Sequence, residues 1–453
     1  MSLSHRMKEN VEIIMPKIAS QVAQRSSNSP PIDLGTAENW LIRTELVGLF
    51  AKSISKALAE QDLSYQKGFA GDPLLIAALA DLFNEFFVPC VPVVSSHVVV
   101  GPGGAAVLDS LLSTICDAGE SMLVLAPFWS KSTGWQSPFA QRLMMSEGGF
   151  HFQFSVRPQV KIIPVHGPVG DLLNPKVVQS MRIAQAESTS TVRGVVICNP
   201  QNPLGLCYSR NALEEIARYC EENDLHLVSD EIYALSTYES VDVQDPIPFT
   251  SILHLDLPAV KVSPSRVHVI WSPSKDFGCS GLRLGALVSQ SNPALATGVA
   301  LACNTQVSSL TAIAITALLR DRVVLHNMIA LNKKRLAAAY VTISEFLRAH
   351  GIQFISTNAG VYVWARLSNR VESWEQEAQL QDFITAENVA VSAGKSYASP
   401  QPGWFRLSFA IGESELDKGL KRLIVGINAF NEMTRVDTNV LALPKTILNP
   451  EIA

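Results

Sequence analysis

Hydrophobic and polar positions alternate with two periods along this chain. Residues 8–24 set Val11, Ile14, Met15, Ile18 and Val22 three and four apart, which predicts an amphipathic helix. The Ser-Ser-Asn-Ser-Pro-Pro that follows, Ser26 to Pro31, is a linker by composition. A helical pattern returns from about Thr44 to Asp62. Between about 65 and 310, short β-branched runs alternate with helical segments, the runs being Val93–Val100, Met122–Leu125, Val160–Val165, Gly194–Cys198, Leu225–Val228 and Arg266–Trp271. That alternation predicts an α/β fold with a parallel sheet covered on both faces. Beyond about 310 come a long helical stretch, a strand-like run over 360–367, a helix around 372–387 and a second strand-like run over 404–410. An amphipathic helix near 415–432 and a Pro-containing tail follow, so this part predicts a smaller α+β domain.

Composition narrows the class. With 453 residues, 47% hydrophobic and only 17% charged, the chain has material for a large core and too little charge for disorder. The net charge of −5 offers no basic footprint for nucleic acid. The seven cysteines include no C-x-x-C pair, so neither a disulfide framework nor a metal site is expected. The absence of an apolar run of ~18 residues, and of an apolar h-region near the amino end, leads us to expect a cytoplasmic protein without a membrane span.

Chemistry collects after three of the runs. Gly194–Cys198 leads into Asn199-Pro200-Gln201-Asn202-Pro203-Leu204-Gly205, Leu225–Val228 into Asp230-Glu231-Ile232-Tyr233, and Arg266–Trp271 into Ser272-Pro273-Ser274-Lys275. If the three strands lie parallel, Asn202, Asp230, Tyr233 and Lys275 converge on one sheet edge, where open α/β sheets bind ligands. Each piece alone has a plain reading: Asn-Pro repeats make turns, an aspartate after a strand caps the next helix, and a loop lysine is solvated surface. As an ordered set, a lysine able to form a Schiff base, a strand-end carboxylate and Arg283 eight residues beyond the lysine suit a pyridoxal cofactor.

Ser272-Pro-Ser-Lys275-Asp-Phe-Gly-Cys-Ser-Gly-Leu-Arg283-Leu-Gly285 resembles the S-x-S-K-x-x-G-x-x-G-x-R-x-G signature of fold-type I pyridoxal-phosphate enzymes, the class I/II aminotransferases and their relatives. The N-P-x-N-P-x-G at 199–205 and D-E-x-Y at 230–233 are similar to that family's other marks, in the same order. Leu34-Gly35-Thr36-Ala37-Glu38-Asn39 and Pro402-Gly403-Trp404-Phe405-Arg406 resemble segments of the 1-aminocyclopropane-1-carboxylate (ACC) synthase-like branch. The resemblance implies a large domain with a mostly parallel seven-stranded sheet, spanning 65–310, and a small domain over 311–435. The segment 32–64 is then expected to pack with the small domain, with 1–31 as an N-terminal helix and linker and 436–453 as a tail.

The same resemblance assigns roles. Lys275 carries pyridoxal 5'-phosphate and then acts as general base at the substrate α-carbon, and Asp230 pairs with the pyridine nitrogen. Asn202 and Tyr233 bond the ring's phenolic oxygen. Arg283 and Ser272 bind the phosphate with the backbone amides of Gly104 and Ala105, where Gly-Pro-Gly-Gly-Ala opens a helical stretch. Arg406 takes the substrate α-carboxylate. Trp129 either stacks on the ring or packs in the core, and Glu38 either caps a helix or faces a cationic substrate. Three departures from the family pattern stand out. Ala105 replaces a hydroxyl residue. The tyrosine that reaches a neighbouring subunit's phosphate is taken as Tyr65, although Phe69 falls nearer the usual place. Residues 131–147 form an insertion, expected to be a surface loop. The leading expectation is an ACC synthase-like lyase acting on S-adenosylmethionine, by α,γ-elimination or γ-replacement, working as a homodimer with shared active sites. The alternatives are an amino acid–2-oxo acid aminotransferase and, less favoured, a non-catalytic amino-acid-binding module.

Overall fold

A computed structural model describes residues 30–65, 68–128, 156–303 and 307–440, with a few isolated positions elsewhere. The helix predicted over 8–24, Trp129 and the 131–147 segment lie outside the described residues, apart from such isolated positions.

The amino-terminal strand β1 (Ile32–Asp33) precedes a seven-stranded sheet made of β2 (Val98–Gly101), β3 (Ser121–Leu125), β4 (Lys161–Val165), β5 (Val192–Cys198), β6 (His226–Asp230), β7 (Val267–Trp271) and β8 (Gly285–Val288). The strand order is β2-β8-β7-β6-β5-β3-β4, and only β8 runs against its neighbours. Both faces are covered, because successive side chains on a strand point to opposite sides. Val195, Ile197, Leu227 and Val269 join one apolar cluster, whereas Val196, Val228 and Ile270 join another beneath the helices Gly104–Ile115 and Pro293–Cys303.

The carboxy-terminal part adds β9 (Gln353–Ile355), β10 (Tyr362–Arg366), β11 (Val389–Ala390), β12 (Ser392–Ala393) and β13 (Trp404–Ser408). Four of these form an antiparallel sheet in the order β12-β13-β10-β9, and the helices Arg322–Ala349, Trp374–Ala386 and Glu413–Val440 pack with it. Strand β11 instead pairs in parallel with β1, and Leu34 continues the contact by donating to the Ala390 carbonyl and accepting from the Ser408 amide. The segment before residue 40 is thereby sewn onto the later sheet.

Several expected boundaries shift, among them the helix expected to run to Asp62, which ends at Ala57 before a separate 3-10 turn over Glu60–Leu63. The run Val93–Val100 is a strand only from Val98, since Ser95–His97 forms a 3-10 turn, and the last helix runs from Glu413 to Val440, longer than its apolar stripe. Among the described residues no helix is long and apolar enough to cross a membrane, and no cluster of three or more His, Cys, Asp or Glu could hold a metal ion.

Candidate active site

The parallel register carries the site. Cys198 lies opposite Asp230, and Asp230 opposite Ile270, so β5, β6 and β7 release their polar ends at the same level. Asp230 is the last residue of β6 and is buried; its Oδ1 has no hydrogen-bond partner. Burial pushes its carboxyl up to about 7, against a backbone hydrogen bond at Ile232 and the charge of Lys275.

Lys275 sits in a one-turn helix, Pro273–Asp276, started by Ser272, whose side chain accepts from the Ser274 amide. Its Nζ donates to the Ala37 carbonyl at 2.6 Å. Burial and the neighbouring Arg406 push the amine down to about 8, while Glu38 and Asp230 pull the other way. The lysine's backbone is fixed by a buried network. Asn39 Nδ2 donates to the Lys275 carbonyl at 3.1 Å and to Asn332 Oδ1 at 2.8 Å, and Asn332 Nδ2 donates to the Asp276 carbonyl. Asp276 in turn accepts from Ser236 Oγ and Trp271 Nε1.

At the far end of the group, β2 turns into the helix Gly104–Ile115 through Gly103, whose φ of +102° suits glycine alone. A Cβ there would meet the Arg283 guanidinium at 2.4 Å, and one on Gly285 would meet the Gly104 amide nitrogen at 2.4 Å. Arg283 is itself left-handed and donates to the Ser280 and Pro102 carbonyls. Ser272 Oγ lies 2.7 Å from both Ser274 Oγ and the Leu284 carbonyl. Gly104 and Ala105 therefore present the open amides of a helix start beside a serine and an arginine, an anion cradle by charge and geometry.

Arg406, on β13, enters from the smaller sheet and is buried. Its Nη1 donates to Asn202 Oδ1 at 3.2 Å and its Nη2 to the Gly35 carbonyl at 2.6 Å, while Nε is buried without a partner. Tyr233 is buried edge-on to Tyr362 with ring centroids 5.3 Å apart. Glu38 lies at the rim. Burial raises its carboxyl, but hydrogen bonds from Ser280 and Arg43, with the charges of Arg43 and Lys275, bring it below the ordinary value. It caps no helix: the next helix, Arg43–Ala57, starts without a side-chain cap.

Similarity to known proteins shows the family of the chain that carries this arrangement. A family profile described as "Aminotransferase class I and II" matches residues 176–423. Over 425 residues the chain is 39% identical to the "Probable aminotransferase aclI" of Aspergillus oryzae, covering 93% of this chain and 97% of that protein. The chain belongs to the class I and II aminotransferase family. It is also 31% identical to the mouse "1-aminocyclopropane-1-carboxylate synthase-like protein 1", covering 86% of this chain and 75% of that one. An aspartate aminotransferase mutant from Thermus thermophilus shares the fold with a TM-score of 0.72 at 22% identity, over 93% of this chain and 98% of that one.

This aminotransferase-family enzyme uses pyridoxal 5'-phosphate, and its residues fit that cofactor. The orphaned Asp230 Oδ1 is a buried acceptor awaiting a cationic N–H, and the Gly103–Gly104–Arg283–Ser272 cradle has room only for backbone and anion. Most of the residues expected from sequence come together: Lys275, Asp230, Asn202, Tyr233, Arg406 and Glu38 through direct contacts or charges, Ser272, Arg283, Gly104 and Ala105 at the cradle. Tyr65 stands apart, fully exposed at 102%. Sequence reasoning missed the carbonyls of Gly35 and Ala37, and missed Asn332, Tyr362 and Tyr397. Asn332, a buried polar residue on the apolar face of a long helix, was the one signal available.

Proposed function

We propose that the chain is an aminotransferase that deprotonates the α-carbon of an α-amino acid, with Lys275 as the base. The observation that carries the reading is a buried lysine amine brought down to about 8, placed in one site with the orphaned Asp230 Oδ1 and the orphaned Arg406 Nε. When bound, pyridoxal phosphate supplies an electron sink for the α-carbon. Asp230 holds the pyridine nitrogen through Oδ1. Asn202, whose Oδ1 already accepts from Arg406, keeps its Nδ2 for the ring's phenolic oxygen, with Tyr233 beside it. Ser272, Arg283 and the Gly104 and Ala105 amides take the phosphate. Arg406 binds the α-carboxylate and so fixes which α-hydrogen Lys275 removes and returns.

Two observations favour amino transfer over the lyase reading. Glu38, the candidate partner for a sulfonium, is already engaged by Arg43 at 3.0 Å and by Ser280, which leaves little uncompensated charge for a cationic substrate. The relative matched over 97% of its length is itself named a probable aminotransferase. The lyase acting on S-adenosylmethionine stays as the second reading, favoured by the mouse ACC synthase-like relative. Holoenzyme mixed with amino acid plus 2-oxo acid, and separately with S-adenosylmethionine, separates them by product mass. A new amino acid and oxo acid are expected in the first mixture; methylthioadenosine from the second with no transfer in the first contradicts the proposal. We also propose a homodimer, supported by the exposure of Leu63, Tyr65 and Phe69 on one stretch of chain.

A further inference from the structure

Arg406 is caged by two tyrosines, its Cζ 5.2 Å from the ring centroids of both Tyr362 and Tyr397. The two are not equivalent. The Tyr362 hydroxyl reaches the Gln201 carbonyl at 3.5 Å. The Tyr397 hydroxyl is buried and makes no hydrogen bond of good geometry; the Ser392 side chain acts towards it as a donor, which leaves the phenol's own proton without an acceptor. Buried phenols ordinarily find a partner, so a free one inside a binding site asks for a ligand atom.

Nothing about Tyr397 is loose. Its ring packs edge-on against Trp364 at 5.2 Å, and its carbonyl accepts from the Phe128 amide. The turn that carries it, Gly394–Tyr397, is held by Glu377. One Glu377 oxygen accepts from the Lys395 amide at 2.9 Å, and the other from the Gly403 amide at 2.7 Å, just before β13. A single buried carboxylate thus ties the Tyr397 turn to the strand bearing Arg406. Packing does not need the hydroxyl, because phenylalanine has the same ring.

We propose that the Tyr397 hydroxyl is a second donor to the substrate's α-carboxylate, working beside Arg406. This rests on the reading of Arg406 as the carboxylate site. Two unsatisfied donors on adjoining groups, Arg406 Nε and Tyr397 O–H, suit a carboxylate, which accepts on two oxygens. The ligand class is the α-amino acid with a free, ionised carboxylate, and Tyr397 adds discrimination against amines that lack it.

The test uses holoenzyme, wild type and Tyr397→Phe, titrated by the absorbance of the bound cofactor. The probe is whichever of alanine, methionine, phenylalanine and tyrosine first perturbs that absorbance, paired with its decarboxylated amine. Tyr397→Phe is expected to weaken the amino acid about 10- to 100-fold, the range of a charge-assisted hydrogen bond, and to leave the amine within about twofold. Unchanged amino-acid binding, or equal weakening of both ligands, overturns the proposal. Wild type that binds acid and amine equally, or responds to none of the four, overturns the amino-acid reading itself.

Discussion

Asp230 and Lys275 are a buried acid and a buried base whose ionisation burial opposes, and each leans on charges across the site. If Asp230 holds the pyridine nitrogen, Asp230→Asn leaves a cation without its counter-charge. Breaking such a pair, at about 3–5 kcal/mol, corresponds to a loss of roughly 10²- to 10⁴-fold in rate. Deuterium exchange at the substrate α-carbon should fall by that much with cofactor still bound; near-wild-type exchange would give the nitrogen another partner. For Lys275 the sign follows from its lowered value: the amine is neutral above about pH 8 and protonated below. Capture of added pyridoxal phosphate by apoprotein should therefore quicken as pH rises towards about 8 and level off above it, whereas a rate that keeps climbing about tenfold per pH unit past 9 would mean that the amine keeps the ordinary lysine value. At this scale the sequence was legible where chemistry is local, as in Ser272–Lys275–Arg283. Ala37 lies 238 positions from Lys275 and Asn332 lies 293 from Asn39, so no spacing rule could pair them before the chain had folded.

At the scale of elements, the helix Gly104–Ile115 starts with free amides and an alanine where a hydroxyl could help. Ala105→Ser should tighten pyridoxal phosphate about 3- to 10-fold, the net worth of one added hydrogen bond, in equilibrium dialysis. Unchanged or weaker binding would place the phosphate elsewhere. Glu377 offers a second test, because its two accepted hydrogen bonds join the turn Gly394–Tyr397 to β13. Glu377→Gln keeps one carbonyl oxygen and turns the other into a donor facing an amide. The Michaelis constant for the amino acid should rise more than the turnover number falls, whereas equal changes in both would make Glu377 a stability residue only. Strands β5, β6 and β7 were readable as β-branched runs, and their parallel register put the polar ends together as expected. The short β8 was not, since four residues in Gly-Ala-Leu-Val carry no period and pair antiparallel between β2 and β7.

Over the whole molecule, the alternation of strands and helices was enough to give an α/β fold with a second α+β part, because hydrophobic period reports which faces are covered. It could not report the docking of residues 32–39 onto β11 and β13, which delivers the Gly35 and Ala37 carbonyls and rests on backbone hydrogen bonds that any sequence can make. The sheet's other edge carries a pH sensitivity of its own. His226 Nδ1 and His268 Nε2 lie 3.0 Å apart, His268 Nδ1 meets Ser289 Oγ, and burial pushes His226 down to about 4 and His268 to about 3. The unfolded chain takes up these protons below about 6.5, so their contribution is complete above that pH and lost as pH falls towards 3. Glu231, Asp276 and Glu377, each raised to about 7 by burial, work in the opposite sense, losing stability as pH rises, but are common to wild type and variant. His268→Gln should thus lose less on going from pH 7 to 5 than wild type does, by about 2 °C or more in Tm; parallel losses would contradict the assignment. The central claim, that Lys275 carries the cofactor in the site built by Asp230, Arg283 and Arg406, has the most direct test. Borohydride reduction of the holoenzyme followed by peptide mass mapping should place the pyridoxyl group on Lys275, whereas a label on any other lysine, or none, would contradict it.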